Sequence, residues 1–139
     1  MLYRLIYVSL ARQSLPLDLK DILRSSRNNN PRVGVTGALC LLDGVDLQCL
    51  EGEGSVIAEL YQFIAKDPRH RSPRVLLLER AEKRLFEGWS MALMTWADET
   101  RGIFEFFHPG DELNLYRVSP SKARLLIESF AASRNWAEV

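Results

Sequence analysis

The chain carries no surplus of either charge: 18 lysines and arginines balance 18 aspartates and glutamates over 139 residues. Without a net positive field or a basic tail there is little to draw in a phosphate backbone, so no nucleic-acid partner is expected. Cysteine is sparse too. Cys40 and Cys49 are the only two; they sit in separate apolar runs rather than in a C-x-x-C pair, and read as buried thiols. No stretch comes near the ~20 apolar residues of a membrane helix, and no membrane contact is expected. Met1 leads straight into Leu2-Tyr3-Arg4-Leu5-Ile6-Tyr7, without the basic start, long apolar core or cleavage site of a secretory leader. With the free cysteines, this favours a reducing, cytoplasmic setting. Paired metal-binding histidines, a Walker loop, G-x-G-x-x-G and the G-x-S-x-G elbow are missing as well. Metal and nucleotide-hydrolysis readings fall away, and no enzyme activity is expected.

What is present suits one domain with a single core. Leu2 to Leu10 alternates so that Tyr3, Leu5, Tyr7 and Ser9 share a face, which predicts a first strand. After Pro16, Leu19, Ile22, Leu23 and Ser26 follow helical spacing up to Asn28-Asn29-Asn30-Pro31. Val33–Leu42 and Val45–Leu50 predict two strands joined by Asp43-Gly44, a dipeptide suited to a tight primed turn. Ser55 is expected to cap a second helix with the stripe Val56, Ile57, Leu60, Tyr61 and Ile64, stopped by Asp67-Pro68. Val75–Leu78 reads as a buried strand. Trp89–Trp96 reads as another, with Trp89, Met91, Leu93 and Thr95 on one face. Residues 98–117 take no assignment. Ser119-Pro120 then opens a last helix whose Ala123, Leu126, Ile127, Phe130 and Arg134 must cover either the free sheet face or another subunit. The order of elements predicts an α+β, ferredoxin-like sandwich: a five-stranded mixed sheet, two helices on one face, and a C-terminal helical extension.

Chemistry is concentrated in a few polar side chains at unusual places. Gln48 puts a primary amide in the middle of an apolar hairpin strand, and a buried amide needs partners. Alone it reads as a satisfied core glutamine, as Tyr7 alone reads as a core tyrosine. Were their strands neighbours, the phenol and the rotatable amide would form a donor–acceptor relay that reverses when the amide turns. Asn29 and Asn30 either end a helix or recognise the carbonyl and N–H edge of a planar ring. Arg69-His70-Arg71 is a solvated loop or the holder of a ligand's ribityl or phosphate end. Trp89 and Met91 suit a core at least as well as a site.

Six stretches are similar, in order, to one family: Tyr3-Arg4-Leu5-Ile6-Tyr7, Ser25-Ser26-Arg27-Asn28-Asn29-Asn30, Gly34-Val35-Thr36-Gly37, Leu47-Gln48-Cys49-Leu50-Glu51-Gly52, Asp67-Pro68-Arg69-His70 and Phe86-Glu87-Gly88-Trp89-Ser90-Met91. They resemble the BLUF domain, the blue-light sensors using flavin, here as a short stand-alone protein. The resemblance implies residues 1–97 as the flavin-binding domain and residues 98–139 as linker and helical cap. It implies a non-covalent flavin, FAD with FMN or riboflavin as alternatives, contacted by Tyr7, Ser26, Asn29, Asn30, Gln48, Arg69, His70 and Met91.

The photoactive set implied is Tyr7, Gln48, Trp89 and Met91. On excitation Tyr7 gives an electron and a proton; recombination leaves Gln48 in a new hydrogen-bonded state, with a modest red shift that decays in darkness. Output is expected through a downstream protein partner and a homo-oligomer. Asp46 departs from the pattern, standing where many relatives carry a bulky apolar residue; it is expected either to perturb the pocket or to turn to solvent. Two other readings remain: a light-independent interaction domain, and an acylphosphatase-like hydrolase using Asn30 with Arg32.

Overall fold

Leu2–Ala11 (β1) is buried on both sides: Leu5 and Tyr7 join one apolar cluster, Ile6 and Val8 another. A strand of that kind belongs inside a sheet, and β1 lies between two antiparallel neighbours. The computed structural model describes residues 1–11, 29–42, 45–66, 70–89, 91–94, 98–107, 118–133 and 136–137. The other strands are β2 (Thr36–Leu42), β3 (Val45–Glu53), β4 (His70–Arg80), β5 (Ala92–Met94) and β6 (Trp136–Ala137). They form one mixed sheet in the order β4-β1-β3-β2-β5-β6, with β2 and β5 parallel. The five expected strands are present, and the two-residue β6 adds a sixth.

Leu42 pairs with Val45, so two residues connect β2 to β3, as the Asp43-Gly44 signal requires; the turn itself lies outside the described residues. Pairing along this hairpin is close enough that a Cβ on Gly37 would fall 2.1 Å from the Cys49 carbonyl oxygen. Only glycine fits there without moving a strand.

Three helices are described: α1 (Gly54–Lys66), α2 (Asp98–Phe107) and α3 (Pro120–Ala132). The stripe of α1 packs on the sheet face that holds Leu5, Tyr7, Leu39 and Leu50. The stripe of α3, Ala123, Leu126, Ile127 and Phe130, is buried on the opposite face against Ile6, Val8, Cys40 and Cys49. Leu126, Ile127 and Phe130 each contribute about 1.5–3 kcal/mol by this burial. The last helix therefore closes the chain's own core. Ser119 caps it, its Oγ accepting from the Lys122 N–H at 3.3 Å, and Pro120 is its first residue. Arg124 clamps the helix to β4 through two 2.6 Å hydrogen bonds to the Glu79 carboxylate.

Several boundaries differ from the sequence expectation. The second strand starts at Thr36, not Val33, because Asn30–Val33 forms a 3-10 turn. Pro31 suits its first position, and Gly34 ends it at φ 70°, in the left-handed region. Helix α1 begins at Gly54, so Ser55 lies in its first turn instead of capping it. Val75–Leu78 is part of an edge strand rather than a buried one: Val75 and Leu78 are 40% and 57% exposed, while Leu76 and Leu77 are buried. A register shift opposite Ile6 and Tyr7 puts two successive leucines on the core side. The strand expected over Trp89–Trp96 is described only at Ala92–Met94. Helix α2 occupies part of the unassigned stretch. The helix expected after Pro16 and the position of Arg134 lie outside the described residues.

Candidate functional site

Tyr7 and Gln48 are direct partners in the β1–β3 register. Both face α1, and both are buried, Tyr7 at 0% and Gln48 at 2% exposure. The Tyr7 hydroxyl donates to Gln48 Oε1. Gln48 Nε2 donates in turn to Met91 Sδ at 3.6 Å, a weak, polarisable acceptor. The amide is thus held by its oxygen to a phenol and by its nitrogen to a thioether. These two neighbours are chemically unlike, so the two orientations of the amide differ in energy and in what they offer a third group. Tyr61, from the α1 stripe, meets the Tyr7 ring edge-on with centroids 5.4 Å apart. Its place in the stripe was legible; its contact with Tyr7 was not, because that depends on how α1 crosses the sheet.

The other expected site residues are placed unequally. Asn30 is buried in the 3-10 turn, whereas its neighbour Asn29 is exposed. Arg32 is exposed too, which separates it in environment from the Asn30 it would need as a phosphate-binding pair. His70 starts β4, pairing with Ala11 at one end of the sheet. Ser26 and Arg69 lie outside the described residues. Trp89 does not share a face with Met91. It packs against the α3-side core, while Met91 sits with Tyr7. Strand alternation does not reach Trp89, because β5 begins only at Ala92. Its backbone carbonyl instead accepts from the Gly37 N–H at 3.2 Å.

Asp46 does not turn to solvent. It is 5% exposed, two residues before Gln48 on the same strand face, and its Oδ1 has no hydrogen-bond partner. Burial pushes its carboxyl up to about 6 from the usual 3.8. Below pH ~4 the folded and unfolded chains both hold the proton; between ~4 and ~6 only the folded chain does. Stability from this group therefore falls as pH rises through that window, and the full penalty, on the order of 2–3 kcal/mol, stands at neutral pH. Asp46→Asn is expected to stabilise the flavin-free protein by roughly 2 kcal/mol at pH 7 and by little at pH 4. Urea unfolding at both pH values measures this; coincident midpoints at pH 7 would contradict it.

A second polar centre lies on the opposite face. Glu51, fully buried, accepts from Arg4 Nε at 3.1 Å, from the Leu85 and Phe86 N–H groups at 2.8 and 3.0 Å, and from Thr36 Oγ1 at 3.3 Å. Arg84 adds bonds to Thr36 Oγ1 and to the carbonyls of Glu51 and Gly34. A depression of roughly 300 Å³ beside Arg84, lined also by Pro31, Val35 and Gly88, contains none of Tyr7, Gln48 and Met91. Among the described residues no group of three His, Cys, Asp or Glu side chains is arranged to hold a metal, and no helix is long and apolar enough to cross a membrane.

The site is thus a buried amide held between a phenol and a thioether, under a helix on a mixed sheet. Residues 2–92 match the family model for BLUF, described as sensors of blue-light using FAD. The chain belongs to this family of flavin-dependent blue-light photoreceptors. The photoactivated adenylate cyclase subunit beta of Euglena gracilis is 30% identical over 93 residues, 66% of this chain. The chain spans only 11% of that relative's length. Among solved structures, "BlsA photo-activated state" is similar over 100% of both chains, with a TM-score of 0.89 and 25% identity. BlrB, a BLUF protein in its dark state, gives 0.77 and 32%, covering 95% of this chain and 96% of that one.

The α1 side of the sheet fits a flavin. An isoalloxazine edge alternates acceptors with an N–H donor, which the donor and acceptor of the Gln48 amide can meet amid apolar side chains, and Asp46 Oδ1 on the same face is a further acceptor without a partner.

Proposed function

We propose that the chain senses blue light through FAD held non-covalently against the Tyr7, Gln48 and Met91 face, with FMN or riboflavin as alternatives. The bound flavin supplies blue-light absorption and, when excited, an acceptor for an electron. The residues of the chain do the rest. Tyr7 is the donor, and its hydroxyl is already committed to Gln48 Oε1. Gln48 is the switch: turning its amide exchanges the atom that faces Tyr7 and the atom that faces Met91. Met91 Sδ, 3.6 Å from Nε2, is the first group outside the pair to register the exchange. Asn30, buried in the turn before β2, anchors the ring edge. Ser26, Asn29, Arg69 and His70 complete the binding set, and Trp89 receives the signal on the far face of the sheet.

The observation that carries this reading is the Tyr7–Gln48–Met91 chain of hydrogen bonds, three buried groups from β1, β3 and the entry to β5. The protein is a sensor without an enzyme activity of its own. It works in the cytoplasm, with residues 1–97 as sensor, residues 98–139 as cap, and a protein partner or a second copy of the chain as the recipient. Absorption spectra of the purified protein, in darkness and after blue illumination, test it. The expected result is a flavin band that shifts reversibly to the red. A flavin that stays fixed or bleaches would keep binding but sink the switch; no flavin even after reconstitution would sink both.

A further inference from the structure

Asp46 is a buried carboxylate without an evident structural use. On β3 it stands one pleat step from Gln48, about 7 Å along the strand, on the same face. Its neighbours in the register are Ser9 on β1 and Leu41 on β2. Its Oδ1 is closed off from water and has no partner, although 5% of the residue remains exposed. A buried acceptor in that state is costly unless a donor reaches it. The step from Gln48 to Asp46 runs toward the sheet end where Val45 begins β3, Ala11 ends β1 and His70 begins β4. Asp46 thus lies between the photoactive pair and the outer end of the site.

We propose that Asp46 Oδ1 is a ligand contact, accepting a hydrogen bond from an uncharged donor of the flavin. This rests on the flavin lying against the Tyr7 and Gln48 face. Two donors have the right chemistry, a hydroxyl of the ribityl chain and the ring N3–H. The position of Asp46 on the outward side of Gln48 favours the hydroxyl, since the planar ring belongs over the apolar part of the face around Leu39, Leu50 and Met91.

The test measures the affinity of the intact flavin-free protein for riboflavin and for lumiflavin, which keeps N3–H but lacks the hydroxyl chain. Native protein is compared with Asp46→Leu and Asp46→Asn. The expected result is that Asp46→Leu loses about tenfold in riboflavin affinity, the size of one charge-assisted hydrogen bond, with lumiflavin affinity unchanged. Asp46→Asn, which keeps a neutral acceptor, is expected to fall between. Equal losses for both flavins would keep the contact and assign it to N3–H. Unchanged or tighter binding of both flavins by Asp46→Leu would overturn the proposal, because the carboxylate would then be only a burial penalty. Native protein that binds neither flavin would instead overturn the flavin reading itself. Circular dichroism of each variant confirms that the fold is retained in the comparison.

Discussion

Gln48→Leu is expected to retain bound flavin and lose the reversible red shift entirely, and Tyr7→Phe to do the same. Both predictions follow from one hydrogen bond: the Tyr7 hydroxyl and Gln48 Oε1 are each other's partner inside a buried face. Leucine matches the bulk of glutamine but has no donor or acceptor to exchange, so the amide's two orientations disappear. Phenylalanine keeps the ring packing against Tyr61 but removes the hydroxyl that holds the amide. Each single change removes this hydrogen bond from the polar group that remains, at a cost of about 1–3 kcal/mol. The double variant removes both groups, so its stability loss is expected to be smaller than the sum of the two. A difference spectrum of normal size in either single variant would remove that residue from the switch. Strictly additive losses in urea would instead show that the pair is not coupled in the folded protein.

That pair was legible because three signals agreed. Tyr7 lies on a strand with clear period-two alternation, Gln48 interrupts an apolar hairpin strand, and Asp43-Gly44 fixes the hairpin register. What the sequence left open was whether their strands were neighbours, since strand order is set by non-local pairing. The β1–β3 register places the two residues directly opposite one another. The C-terminal stripe was legible as a stripe, but its target was not. The same spacing serves a second subunit or the chain's own free sheet face, and Ala123, Leu126, Ile127 and Phe130 are used for the latter.

Trp89 misled for a physical reason. Alternating large residues from Trp89 to Trp96 look like a strand, but among the described residues pairing with β2 joins only Ala38, Leu39 and Cys40 to Ala92, Leu93 and Met94. Upstream of that pairing the chain is bent, and Trp89 is free to enter the other core. The register shift that splits β4 into exposed and buried residues leaves no mark in local composition. The buried charges were detectable in principle. Arg4 falls between Tyr3 and Leu5, on the opposite face from Tyr7, and Glu51 falls on the same face as Cys49. Opposite charges on the core side of two strands are a signal that parity alone exposes, once those strands are known to pair.

Glu51→Gln is expected to cost about 3–5 kcal/mol, because it leaves the Arg4 charge buried and uncompensated. For a chain of this length that is a fall in melting temperature of roughly 10–15 °C. The carboxylate also does something an ion pair alone does not. Its two oxygens accept the N–H groups of Leu85 and Phe86, and so hold the segment that leads through Trp89 to Met91. A double variant, Arg4→Met with Glu51→Leu, separates the two contributions. If the ion pair were all, an apolar pair of similar volume would restore native stability or exceed it. With the carboxylate that accepts from the Leu85 and Phe86 N–H groups gone, the double variant is expected to remain at least about 2 kcal/mol below the native protein. Urea midpoints for the two single variants and the double variant decide it. A double variant as stable as the native protein would confine Glu51 to pairing with Arg4. A persistent deficit, together with a changed tryptophan fluorescence maximum that disappears in a Trp89→Phe background, would identify Glu51 as the anchor that keeps Trp89 on one face and Met91 against Gln48 on the other.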